Sequence, residues 1–254
     1  MKLLKAMAIA FSIYSKIPVP QFEWKEEDME YMMCFFPLIG VVIGMFFFGW
    51  AVLCEKFAVG NVCYALIGAA IPLMISGGFH VDGYMDTMDA FHSYQSREKK
   101  LEILKDSHIG AFAAIMLALY YMIDIAAISE IHTQKAVSAL AAVFFLARCF
   151  SGIAVMTLQP AKKEGLLYTF ASSAQKVRVK AALYFQAVLC VVLMLLVSGW
   201  YGAAAIGAVL LSFFYFKKKS YKELGGITGD TAGFFVTVCE AAAAAAVAVT
   251  GYFL

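Results

Sequence analysis

The chain has 254 residues, of which 63% are hydrophobic and only 15% charged, and its net charge is +2. A soluble domain is nearer half apolar and a quarter charged, so this chain cannot cover a water-facing surface and lipid is the expected solvent for most of it. No basic tract points to nucleic acid, and the six cysteines are scattered singly without C-x-x-C spacing, which indicates neither a zinc site nor a disulfide framework.

In chain order, Lys2, Lys5 and Lys16 among Leu, Ala, Ile and Phe suit a helix lying in the membrane interface or packed on a bundle, ended by Pro18 and Pro20. The start carries no sustained apolar stretch with a cleavage site and does not read as a removable signal peptide. A membrane-crossing helix needs roughly 20 mostly apolar residues. Segments 35–53, 111–129, 136–157, 181–199 and 232–254 meet that length. Segment 201–216 is slightly short, and the short 61–76 is expected to run on through the uncharged Gly77–Val81. Seventeen of the twenty Lys and Arg lie before the first span or in alternate loops, and the positive-inside rule makes that side the cytoplasm. The fold expected is an all-α integral membrane protein, a polytopic bundle of about seven transmembrane helices with a cytoplasmic N-terminus. A single catalytic domain over 1–254, with 1–34 as its N-terminal segment, is expected in the cell (inner) membrane.

The polar chemistry gathers in the loops of the basic side. The run Gly77-Gly78-Phe79-His80-Val81-Asp82 continues to Asp86 and Asp89. If it is helical, steps of four and three residues rotate by roughly 40° and −60°, so the three carboxylates share one face. Like charges so close call for a cation, and hard oxygen ligands suit Mg²⁺ alongside substrate phosphates. The alternative is a solvated acidic loop or a helix cap. His80 is equally a loop histidine or a site residue. Lys105 and Ser107 precede the third span, where helix N–H groups could hold a phosphate, or the segment is an ordinary N-cap. Gly225-Gly226-Ile227-Thr228-Gly229-Asp230 precedes the last span and adds a fourth carboxylate, or is a glycine turn with Asp230 as cap. Arg148 and Glu240 lie inside spans and should face the bundle interior, Arg148 meeting an acid or a bound phosphate, or the two pairing with one another. Together these residues suit phosphoryl transfer or loss of a pyrophosphate-type leaving group at a cytoplasmic site.

Five runs, in order, resemble the cobalamin synthase family: K-I-P-V-P (Lys16–Pro20), F-P-L-I-G (Phe36–Gly40), G-G-F-H-V-D-G-Y-M-D-T-M-D-A from Gly77, K-D-S-H-I-G from Lys105 and G-G-I-T-G-D from Gly225, with Glu240 as a final acid. Ala90 stands where the family usually has Gly, and His108 where it usually has Arg. The resemblance implies an adenosylcobinamide-GDP ribazoletransferase: a hydroxyl of α-ribazole or its 5′-phosphate attacks the cobinamide-side phosphorus of adenosylcobinamide-GDP and GMP leaves. On that basis Mg²⁺ would sit on Asp82, Asp86 and Asp89, with Asp230 as ligand or base and Glu240 as a further ligand. Substrate would meet His80, Lys105, Ser107, Arg148 and Thr228.

Three other readings compete. A CDP-alcohol phosphotransferase also spaces aspartates at a membrane face, but wants D-G followed by A-R where this chain has Tyr84-Met85-Asp86. A membrane prenyltransferase would release pyrophosphate. A transporter would place polar residues at the midplane and often show inverted repeats. The sequence leaves open a homo-oligomer or contact with other corrinoid-assembly enzymes.

Overall fold

The computed structural model describes residues 2–20 and 23–254; Met1, Gln21 and Phe22 of the anticipated N-terminal segment lie outside the described residues. The described residues form eleven α-helices and one short 3-10 helix, Glu26–Met29, with no strand. Helix α1 is Lys2–Tyr14, and it buries Ala6, Ile9, Ala10 and Tyr14 at helical spacing. Ser15 ends it, its hydroxyl donating to the Phe11 carbonyl. The next amide, Lys16 N–H, donates to the Ile75 carbonyl at 2.8 Å and ties this end to the third helix.

Helix α2, Met32–Lys56, has 25 residues, about 37 Å at 1.5 Å per residue, enough to cross a hydrocarbon layer. It packs on α7, Gln134–Thr157. A Cβ at Gly40 would collide with the Phe144 carbonyl, and one at Gly44 with that of Ala141, so the two glycines are what permits this approach. Helices α7 and α11 (Gly229–Gly251) form the interior. Around them α6 (Ala111–Ile128), α9 (Lys176–Ser198) and α10 (Trp200–Leu224) turn exposed Met122, Leu196 and Leu211 outward. Unpartnered apolar faces of this kind belong in lipid.

Among the described residues six helices (α2, α6, α7, α9, α10 and α11) are long and apolar enough to cross a membrane. The segment expected at 201–216 is one continuous helix as far as Leu224. The anticipated second span differs. Helix α3, Asn61–Ser76, does not run on through Val81; it stops, and α4, Phe79–His92, leaves at 97°. The break is built by Gly77 (φ +66°) and Gly78 (φ +85°), a left-handed pair that costs side-chain-bearing residues about 1–2 kcal/mol each. Counting the bent pair as one span gives seven. The turn lays α4 across the start of α11, where a Cβ on Gly83 would sit 2.9 Å from the Asp230 Cα and one on Gly233 3.0 Å from the His80 carbonyl oxygen. Two short helices, α5 (Arg97–Ile103) and α8 (Leu166–Ser173), complete the fold.

Candidate active site

Helix α4 carries Asp82, Asp86 and Asp89, and the chain is helical through all three. Their fates nevertheless diverge. Asp82 is exposed and lines a cavity of about 430 Å³ between α1, α4, α7, α8 and α11. Asp86 is half-buried and within electrostatic reach of Asp82, Asp230 and Asp89. Asp89 turns to the start of α6, where its two oxygens accept the Gly110 and Ala113 amides at 2.7 and 2.8 Å. Those are amides a helix leaves without intrahelical partners, and a carboxylate there also opposes the helix dipole. At the helix end where a phosphate was expected beside Lys105 and Ser107, these two amides are taken by the Asp89 carboxylate. Ser107 is exposed and stands outside the cavity lining.

Asp230 comes to the cavity by a different route. Thr228 caps α11, its hydroxyl accepting the Thr231 amide at 3.2 Å while the Thr231 hydroxyl accepts the Thr228 amide at 2.8 Å. This box fixes the first turn, and Thr228 Oγ1 donates to Asp230 Oδ2 at 3.3 Å. The preceding loop is pinned to the loop after α7 by two backbone bonds, Ala161 N–H to Ile227 O at 2.8 Å and Ile227 N–H to Gln159 O at 2.9 Å. Gly226 is required there, since a Cβ would lie 2.6 Å from the Gln159 oxygen. The pinning carries Lys162 into the cavity wall, where Nζ donates to the Leu101 carbonyl at 2.6 Å. Lys105 joins it, paired with Glu164 at 2.5 Å. Burial, then the neighbouring Lys105 charge, lower the Lys162 pKa below the ordinary lysine value, against the opposing pull of Asp230 and Glu164.

Beneath this charged rim the cavity is aromatic, with Tyr14, Phe36, Phe79 and Phe170 in its wall. His80 belongs here too. It is 5% exposed, lies parallel to Tyr14 at 6.1 Å between ring centres, and neither ring nitrogen has a hydrogen-bond partner. Arg148 and Glu240 do not reach the cavity. Arg148 Nη1 donates to Glu240 Oε1 and to the Phe144 carbonyl, both at 2.7 Å, deep between α7 and α11. The sequence allowed that pairing; the geometry takes it.

Among the described residues no group of three His, Cys, Asp or Glu side chains is placed to hold a metal ion. Asp82 and Asp230 do face one cavity. Two carboxylates completed by waters and substrate phosphates are an ordinary Mg²⁺ environment, so the donor chemistry fits that ion. The site holds two residues that the sequence reading passed over, Lys162 and Tyr14. Lys162 sits in a K-K-E run with no motif, and only the Pro160–Ile227 pairing reveals where it goes.

A family model for cobalamin-5-phosphate synthase matches residues 6–248. The chain belongs to that family. Relatives along nearly the full length agree. The adenosylcobinamide-GDP ribazoletransferase of Lachnoclostridium phytofermentans is 44% identical over 249 residues, 98% of this chain and 95% of the relative. Proteins of the same name from Clostridium botulinum (strain Alaska E43 / Type E3) and Azorhizobium caulinodans are 31% and 30% identical, over 94% and 95% of this chain and 94% of each relative. No solved structure matches. The family therefore rests on sequence, and the cavity describes where a member of it keeps its charged residues.

Proposed function

We propose that this protein is an adenosylcobinamide-GDP ribazoletransferase, joining α-ribazole or its 5′-phosphate to adenosylcobinamide-GDP in the last assembly step of the B12 nucleotide loop. The observation that carries this reading is the cavity in which Asp82, Asp230, Lys105 and Lys162 meet above an aromatic wall. A hydroxyl oxygen of the ribazole bonds to the cobinamide-side phosphorus. The bond from that phosphorus to the GMP oxygen breaks, GMP leaves with the electron pair, and the hydroxyl proton is released to a carboxylate or to water.

Each residue takes a role its position permits. Lys162 and Lys105 neutralise diphosphate oxygens, and the start of α11, open to the cavity at Gly229, adds its dipole. Asp82 and Asp230 would hold Mg²⁺, with Asp86 alongside; the ion, when bound, supplies charge neutralisation at the diphosphate. A carboxylate among these accepts the hydroxyl proton. Thr228 fixes the orientation of Asp230, and Asp89 acts on α6 and not on substrate. His80, Phe36 and Tyr14 offer flat faces for a ring of the substrate.

The orientation in the membrane follows from charge. Lys100 pairs with Glu223, Lys105 with Glu164, and Lys162 bonds Leu101, so three lysine-bearing segments meet at the end where the cavity lies. On the positive-inside rule we assign that end to the cytoplasmic side, and the protein to the cell (inner) membrane. The test is direct: purified protein in lipid nanodiscs, given adenosylcobinamide-GDP, α-ribazole 5′-phosphate and Mg²⁺, should release GMP and a completed corrinoid. Folded wild-type protein that yields neither would refute the reading.

A further inference from the structure

Asp82 and Phe79 border two cavities, not one. The first is the 430 Å³ cavity described above. The second, about 540 Å³, lies on the other side of α4, between the end of α1, the end of α3 and α6. Resting on the transferase reading, we propose that this second cavity binds the ribazole acceptor, so that Asp82 and Phe79 form the shared wall at which the two substrates meet.

The lining supports an anionic, hydroxyl-bearing ligand with an apolar ring. Lys16 supplies a cation: its stem passes over Gly77, in the space that the missing Cβ leaves, so the left-handed turn and the lysine occupy one surface. Gly78 begins α4 with no side-chain cap, so the first amides of that helix are left to a ligand or water. Ser76 gives an independent sign. The residue is 6% exposed and lines the cavity, and its hydroxyl makes no hydrogen bond within the protein while staying open to a ligand or water. Such a hydroxyl, set in a mostly buried residue and free of protein partners, is available to a ligand's polar group. Leu73, Met85 and Leu117 provide the apolar wall for a heterocyclic base.

The arrangement also meets a requirement of the chemistry. In phosphoryl transfer the attacking and leaving oxygens stand in line on opposite sides of phosphorus. Two cavities that share Asp82 meet that requirement: the acceptor hydroxyl approaches from the Lys16 side, and GMP departs on the side of Lys162 and Lys105.

The experiment is a two-substrate kinetic analysis of wild type, Lys16→Gln and Ser76→Ala in nanodiscs, with α-ribazole 5′-phosphate and free α-ribazole as alternative acceptors. Lys16 is exposed and Ser76 makes no internal bond, so both variants should fold. Lys16→Gln should raise the KM for the phosphorylated acceptor about tenfold to a hundredfold, the loss expected for a charge-assisted hydrogen bond. The KM for adenosylcobinamide-GDP should stay within about twofold, the KM for free α-ribazole should barely move, and Lys16→Arg should restore the phosphorylated acceptor. Ser76→Ala should raise the KM of either acceptor about threefold to tenfold. An active wild type whose acceptor KM is untouched by both variants, or whose donor KM moves instead, overturns the second cavity alone. An inactive wild type overturns it together with the transferase reading.

Discussion

Replacing Glu240 by Gln isolates what the Arg148–Glu240 pair does. The two side chains are 1% and 8% exposed, and the guanidinium has one carboxylate and one carbonyl, Phe144 O, as partners. Removing one member of such a pair leaves the other charge buried and uncompensated, which costs about 3–5 kcal/mol. Gln keeps the shape and one acceptor oxygen, so Glu240→Gln should sit at the lower end, near 3 kcal/mol. Replacing both partners, as Arg148→Met with Glu240→Gln, removes the stranded charge and should recover most of the loss. The measurement is reversible unfolding in mixed micelles by denaturing-detergent titration, run beside Mg²⁺ titrations of turnover. Stability should fall in the single variant and return in the double, with the Mg²⁺ concentration for half-maximal turnover unchanged in the folded fraction. A Glu240→Gln protein of wild-type stability that needs far more Mg²⁺ would refute the structural role and return Glu240 to the metal.

Asp89→Asn keeps only one oxygen to serve the Gly110 and Ala113 amides, so it should cost about 1–3 kcal/mol of stability with little change in Mg²⁺ dependence; Asp82→Asn should do the reverse, abolishing turnover in a protein of near wild-type stability. Lys162→Gln should raise the KM for adenosylcobinamide-GDP about tenfold or more. Because the Lys162 pKa is lowered, its positive charge is lost, as pH rises, earlier than for an ordinary lysine. Donor affinity should therefore fall on the alkaline side, and Lys162→Arg, which keeps its charge, should move that fall to higher pH; identical alkaline limbs in the two proteins would exclude Lys162 as the group.

Six of the seven expected spans were legible because apolar length is a one-dimensional signal that lipid enforces on a crossing helix; the second was not, because its bend at Gly77 and Gly78 is set by backbone conformation. Asp82 and Asp230 stood out in the sequence as acids beside expected spans, and both line the cavity. Asp89 was not separable from Asp82 and Asp86 by spacing, which put all three on one face. What divides them is the start of α6, a partner that adjoins only in three dimensions. Arg148 and Glu240 were visible as buried charges that could pair with one another, but positions 92 residues apart did not choose between that pairing and a bound phosphate; the contact itself does. Lys162 was illegible for the opposite reason: a lysine in a basic loop is the commonest of features, and its use depends on two backbone bonds between loops distant in sequence.

The break between α3 and α4 explains how a membrane chain presents the three aspartates of α4 without placing them in lipid. Helices α3 and α4 contain 16 and 14 residues, so with the two glycines a straight helix would run about 48 Å, well beyond the bilayer core. Its acids would project past the bundle, away from Asp230. Bent by 97°, the same residues cross the start of α11 and bring Asp82 to Asp230 at one cavity. Replacing both Gly77 and Gly78 with Ala makes the left-handed turn unfavourable by about 1–2 kcal/mol at each position and removes the space that Lys16 occupies. Alanine also favours continuation of the helix by about 1 kcal/mol per position over glycine. The double variant should insert into membranes and yet lose most turnover, while each single variant retains a measurable part of it. A double variant with wild-type turnover would mean that α4 reaches Asp230 without the turn, and that the broken helix does not build the site.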